Sequence, residues 1–285
     1  MKRTLTGLSL LVVFLGILFL TKIHQAFFDI AVFAVIMIAL FEMIKCGKAS
    51  SYNPIIIPLI LTTIAMLPLS IIYGLFGFLI VLGLGVLLIF SFFIFDPRIA
   101  FKDFIYTVFI LIYPVSMLYL AIVIPHFYVL FEPGMIPVLI AIAAALCSDT
   151  FAYYFGSFFK GPHIFPAISP NKTYSGCIMG LIGGMIGSIL VYVLFELVKL
   201  PLNVTYALGN KFSYPLVTYA AIGLLMSFVS QIGDLAASRI KRELEIKDFS
   251  GILGSHGGMM DRIDSVMFAL VAMTVIVLCG NVFVL

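Results

Sequence analysis

Charge is what this sequence has least of: Asp, Glu, Lys and Arg make up 10% of its 285 residues, against roughly 25% in ordinary soluble domains. Apolar residues reach 63% and the mean hydropathy is +1.24, which excludes a water-soluble globular fold. The net charge of only +3 gives no electrostatic footprint for nucleic acid. The four cysteines, Cys46, Cys147, Cys177 and Cys279, lack any Cys-x-x-Cys or Cys/His spacing, so they read as small thiols within apolar runs rather than metal ligands or a disulfide framework. Low-complexity tracts and linkers are missing, and no internal repeat suggests the duplicated plan of many transporters. No small-x-small cleavage pattern follows Lys2, Arg3 and the first apolar run, so that run reads as a membrane helix rather than a removable signal. One integral membrane domain over 1–285 is the simplest division, with amino-terminal spans in 1–100 and polar motifs in 101–285.

What the sequence does have is long hydrocarbon-loving runs. A spanning helix needs about 20 mostly apolar residues. Nine stretches qualify: 5–21, 27–44, 54–69, 71–95, 104–124, 135–158, 174–198, 214–240 and 263–285. Such unbroken runs exclude a transmembrane strand barrel and predict an all-α, polytopic membrane helical bundle of about nine transmembrane helices. The uncharged stretch 54–95 would extend about 63 Å as one helix, so a reversal is expected, placed near Pro68 and Ser70. With the amino terminus in the cytosol, thirteen Lys and Arg fall on the inner side and only Lys22, Lys199 and Lys211 outside, a strong positive-inside bias. Five glycines between Gly176 and Gly187 form overlapping small-xxx-small patterns, which read as close helix packing.

The charge that exists is concentrated at 238–265, between two apolar runs and on the cytosolic side of this topology. Asp234, Ser238 and Lys241 recur at i, i+4 and i+7 and share one helical face. Asp261, Asp264 and Ser265 recur at i, i+3 and i+4 and share another. Ionised Asp inside a bilayer costs at least about 2.5 to 3.5 kcal/mol, so pooled carboxylates call for a cation. Oxygen-only donors suit Mg2+, held by Asp234, Asp261, Asp264 and Ser238, whereas zinc would recruit His or Cys. The competing reading is a structural salt-bridge knot with Arg239, Lys241, Arg242 and Arg262. In His256-Gly257-Gly258 the glycines can expose successive amides before a helix start, an expected cradle for phosphate oxygens. His256 itself is open to three roles: phosphate donor, proton donor or turn cap.

A second polar patch runs from Pro166 to Thr173 and includes Ser169, Asn171 and Lys172. Asn171 or Thr173 can cap the following helix, and Lys172 adds a full positive charge; the loop reads either as an ordinary capped turn or as a ligand site. Asp149 falls within the sixth apolar run and should be buried against a polar cavity, as a ligand-binding group or the partner of a buried Lys or Arg.

The pattern Ser238-x-Ile-Lys241-Arg242-x4-Lys247-Asp248-x-Ser250-x2-Leu253-Gly254-x-His256-Gly257-Gly258-x2-Asp261-Arg262-x-Asp264 closely resembles the signature of the phosphatidate cytidylyltransferases. Asp149-Thr150-x-Ala152-Tyr153, Ser169-Pro170-x-Lys172-Thr173 and Gly233-Asp234-Leu235 are similar to that family's other motifs, so the resemblance covers 149–265. Phe151 replaces a glycine and Gly254 a proline common in the family. The amino-terminal spans match only in general hydrophobicity. The resemblance implies conversion of CTP and phosphatidic acid to CDP-diacylglycerol and pyrophosphate, with Mg2+, a second cation such as K+, and a homodimer in a bacterial inner membrane with its active site facing the cytosol. On it, Asp234, Asp261, Lys241 and His256 are expected to be catalytic. Asp149, Ser169, Asn171, Lys172, Thr173, Ser238, Arg242, Lys247, Gly257, Gly258 and Arg262 are expected to bind substrate. A CTP-using lipid kinase is the nearest rival; a cation or organophosphate transporter is the rival from another class.

Overall fold

Gly74 decides what the longest apolar run does. A computed structural model describes residues 2–127, 134–159, 161–166, 168–198, 214–252 and 257–282. In it Ile56–Phe95 (α3) is helical at both ends but breaks at Gly74, whose φ of 54° and ψ of −132° belong to no helix and favour a residue without a Cβ. The two arms fold back on each other: Gly85 abuts Thr62, and Gly77 abuts the Leu69 carbonyl. These pairs are centred close to Gly74, so the expected reversal exists but falls there, not at Pro68 and Ser70. Pro68 stays inside the first arm. A Cβ on Gly74 would also lie 2.6 Å from the His126 carbonyl oxygen, so close approach and backbone geometry select the same residue.

The remaining elements are α1 (Lys2–Thr21), α2 (Ala26–Ala49), α4 (Phe101–Ile110), α5 (Met117–Val123), α6 (Ile136–Phe159), the strands β1 (His163–Phe165) and β2 (Ser169–Thr173), α7 (Tyr174–Tyr192), α8 (Pro215–Glu243) and α9 (Met260–Val282). A π-helical turn at Leu111–Ser116 joins α4 to α5, where Pro114 offers no N–H to a regular ladder. Among the described residues, seven helices are long and apolar enough to cross a membrane: Ala26–Ala49, Ile56–Phe95, Phe101–His126, Ile136–Phe159, Tyr174–Leu197, Pro215–Glu243 and Met260–Cys279. The chain is a polytopic membrane helical protein. Against the nine expected stretches, 54–69 and 71–95 are arms of one element, and the first contributes only the shorter apolar helix Val12–Thr21.

The chain forms two compact units: Met1–Tyr128 with Glu243–Arg262, and Val129–Arg242 with Ile263–Leu285. The first is built on Ile36, Leu40, Met43, Leu59, Met66 and Tyr119, all fully buried. Its buried polar groups serve helix ends: Asp103 Oδ1 accepts the Asn53 amide at 2.8 Å and Thr107 Oγ1 the Ile55 amide at 2.9 Å, at the entry to α3. Asp29 and His126 form a buried pair at 3.0 Å.

In the second unit, α7 leans its glycines on two neighbours. A Cβ at Gly183 or Gly187 would lie 2.7 Å from the Cys147 carbonyl or 2.6 Å from that of Ala143, both on α6, while Gly184 abuts Ser227 on α8. Packing is therefore what the glycine pattern is for, as expected. Thr173 caps α7 by accepting the Gly176 amide at 3.2 Å. The loop before it is more ordered than a turn: β2, which includes Asn171 and Lys172, pairs antiparallel with β1.

Candidate active site

In an apolar unit, polar side chains that meet must have been brought together by backbone geometry. In the second unit, Gly233 does this for α8 and α9: a Cβ there would lie 2.8 Å from the Asp264 carbonyl and 2.9 Å from the Phe268 ring. Asp234 follows directly. Its Oδ2 takes the Lys172 ammonium at 2.7 Å, and the same ammonium donates to the Gln231 carbonyl at 3.1 Å. Gln231 in turn donates to the Cys177 carbonyl at 3.1 Å, tying α8 to α7.

On α9, Asp264 is only 6% exposed, and the charges of Asp234, Asp149 and Lys241 all act on it. Ser265 donates its hydroxyl to Asp149 Oδ2 at 2.7 Å, and its amide to Asp264 Oδ1 at 2.8 Å. Asp149 departs from expectation in one respect: it is exposed on α6 rather than buried, with Ser265 as a partner. Four elements, α6, β2, α8 and α9, thus contribute Asp149, Lys172, Asp234, Asp264 and Ser265 to one mixed-charge neighbourhood, and Lys241 lies in the last turn of α8. Ser238 is half-buried on α8, Arg242 is exposed at its end, and Ser169 is half-buried in β2.

Residues 243–262 of the signature belong to the first unit, and several of their amides are already engaged. Asp261 Oδ2 accepts the Phe249 amide at 3.0 Å and the Gly258 amide at 2.9 Å. Gly257 has φ of 76°, the left-handed conformation expected of it, and a Cβ there would stand 2.9 Å from Asp261 Oδ2. The next two amides, Met259 and Met260, donate to Glu42 of α2 at 2.9 and 2.8 Å. Of the two amides expected to cradle phosphate, that of Gly258 is turned toward Asp261. Lys247 and Arg262 are exposed. His256 lies outside the described residues. Glu42 was not singled out from sequence, although an acid inside an apolar run, which it shares with Asp29, is a signal in its own right.

The sequence profile of a cytidylyltransferase family matches residues 1–279. The chain belongs to that family. A phosphatidate cytidylyltransferase of Staphylococcus epidermidis is 30% identical over 280 residues, covering 97% of this chain and 98% of that protein. Proteins of the same name from Staphylococcus haemolyticus and Staphylococcus aureus are 34% and 32% identical over 163 residues, 57% of each chain. Family membership thus extends over the amino-terminal spans, which the sequence motifs alone did not reach.

Proposed function

We propose that this membrane enzyme transfers CMP from CTP to phosphatidic acid, giving CDP-diacylglycerol and pyrophosphate. The observation that carries the reading is the meeting of Lys172 with Asp234, and of Asp149 with Ser265 beside Asp264, within a largely apolar unit of a cytidylyltransferase-family chain. A phosphate monoester has its second pKa at about 6 and is largely a dianion at neutral pH. One of its oxygens can therefore attack the α-phosphorus of CTP without a strong protein base. The new P–O bond forms as the bond to the β-phosphate oxygen breaks, and pyrophosphate leaves with the electron pair.

The difficulty is electrostatic rather than nucleophilic, because two polyanions must meet and charge grows on the leaving group. Lys172 and Lys241 offset that charge, and Arg242 extends the positive field from the end of α8. Among the described residues, no three His, Cys, Asp or Glu side chains form a ready-made metal cage. Mg2+ does not need one, since it binds through one or two carboxylates plus substrate phosphates and keeps several waters. The oxygen-only donors fit it: Asp234 and Asp264 would hold the ion, with Ser238 in support. The ion would supply charge neutralisation to the phosphates. Asp149 and Ser265 orient one another beside Asp264. Facing the cytosol from a bacterial inner membrane, such a site would take CTP from water and phosphatidate from the bilayer.

The deciding assay supplies labelled CTP, phosphatidate and Mg2+ to the purified chain in detergent and measures CDP-lipid and pyrophosphate separately. Equal release of both products is expected. Phospholipid plus CDP would make it a kinase, and uptake into sealed vesicles without turnover would make it a transporter.

A further inference from the structure

The signature segment is gripped by a helix that carries none of its motifs. On α2 and its C-cap, Glu42, Cys46 and Ser50 fall at i, i+4 and i+8 and form one stripe. Each holds part of the segment within the same unit. Ser50 Oγ donates to the Leu244 carbonyl at 2.7 Å, and Cys46 Sγ donates to the Phe249 carbonyl at 2.8 Å. Glu42 accepts the Ser250 hydroxyl and the amides of Met259 and Met260. It is 2% exposed, and neither the Asp29–His126 nor the Lys172–Asp234 pair includes it. A buried carboxylate is tolerable only when fully hydrogen-bonded, and here its partners are one hydroxyl and the first amides of α9. Those amides are also the positive end of the helix dipole. Gly258 completes the fit, for its backbone passes so near that a Cβ would lie 2.8 Å from both Glu42 oxygens.

We infer that Glu42 is a positioning residue: it fixes the start of α9 and the adjoining residues 249–252, and so sets where Asp261 presents itself. The activity arm of this inference rests on the proposed function; its structural arm does not. Asp261 draws on the same segment, taking the amides of Phe249 and Gly258. Glu42 and Asp261 therefore hold 249–250 and 258–260 from two sides, and loosening one should misplace the other.

The test compares full-length wild type with Glu42→Gln, Glu42→Asp, Cys46→Ala and Ser50→Ala in detergent. It reads backbone hydrogen exchange over 244–252 and 257–262, together with kcat and KM for CTP and phosphatidate per folded molecule. Glu42→Gln replaces an acceptor oxygen with an NH2 that cannot take an amide. It should speed exchange in both segments and lower kcat by about a hundredfold, the usual consequence of misplacing catalytic groups by an ångström. Both KM values should stay within about threefold, because misplacing groups that act in the transition state lowers kcat and kcat/KM alike. Glu42→Asp should recover part of kcat. A purely stabilising role would lower folded yield and leave kcat per folded molecule unchanged. Wild-type exchange and kcat in folded Glu42→Gln would overturn the inference. If that variant does not fold, Cys46→Ala and Ser50→Ala each remove one grip, and unchanged exchange over 244–252 in both would overturn it equally. An inactive wild type would sink the proposed function while leaving the exchange comparison intact.

Discussion

Two glycines seven residues apart in the signature segment should respond in opposite ways to the same methyl group. Gly251 is exposed, with nothing within 4 Å of where a Cβ would stand; Gly258 is buried, with both Glu42 oxygens at 2.8 Å and the Ser250 nitrogen at 2.9 Å from that point. In Gly258→Ala something must move by about half an ångström to reach ordinary van der Waals separation. Expelling the Glu42 carboxylate would forfeit two charge-assisted hydrogen bonds to amides, about 3–6 kcal/mol in all. Compressing the segment around an extra methyl costs about 1–3 kcal/mol, so strain is the cheaper response. For a chain of this size that corresponds to a fall in Tm of roughly 2–6 °C. Turnover should fall by at least about tenfold, because the shifted amide is the one Asp261 holds. Gly251→Ala should match wild type within about 1 °C, as an unconstrained surface change does. Thermal unfolding of detergent-solubilised protein and CDP-lipid formation per folded molecule measure both effects. Equal behaviour of the two variants would refute the close packing of Gly258 on Glu42.

Asp234→Asn and Lys172→Met should each cut CDP-diacylglycerol synthesis by at least about a hundredfold while eluting as folded protein; near-normal product from either would remove that residue from the electrostatic machinery. Gly183→Ala puts a methyl 2.6 Å from Phe151 Cβ and 2.7 Å from the Cys147 carbonyl, and should cost about 1–3 kcal/mol of stability. Gly83→Ala, with nothing within 4 Å, should cost nothing measurable, and unfolding scans compare the two. Thr173→Ala loses the α7 cap and should destabilise by about 1 kcal/mol; an unchanged Tm would show the Gly176 amide satisfied elsewhere.

Helix existence was legible because a bilayer leaves the backbone few other options. Periodicity then put Asp234, Ser238 and Lys241 on one face, and residue type narrowed the α7 cap to Asn171 or Thr173, of which the structure uses Thr173. The reversal in 54–95 was legible as a necessity of length. Its location was not: proline is the commoner helix breaker, but Pro68 was absorbed within an arm, while Gly74 met both a positive φ and the His126 carbonyl. Asp149 read as buried because it falls within the sixth apolar run, yet α6 turns it to an exposed position where Ser265 reaches it.

Composition and local spacing by themselves determined a helical membrane protein, the polar faces of α8 and α9, and the packing role of the α7 glycines. These follow from hydrocarbon thickness and from 3.6 residues per turn, which act over a few residues. Only tertiary structure decided that Lys172 would meet Asp234, that Ser265 would meet Asp149, and that Glu42 would hold amides more than two hundred residues away. Partners so distant along the chain are chosen by how helices pack, and no local periodicity carries that choice.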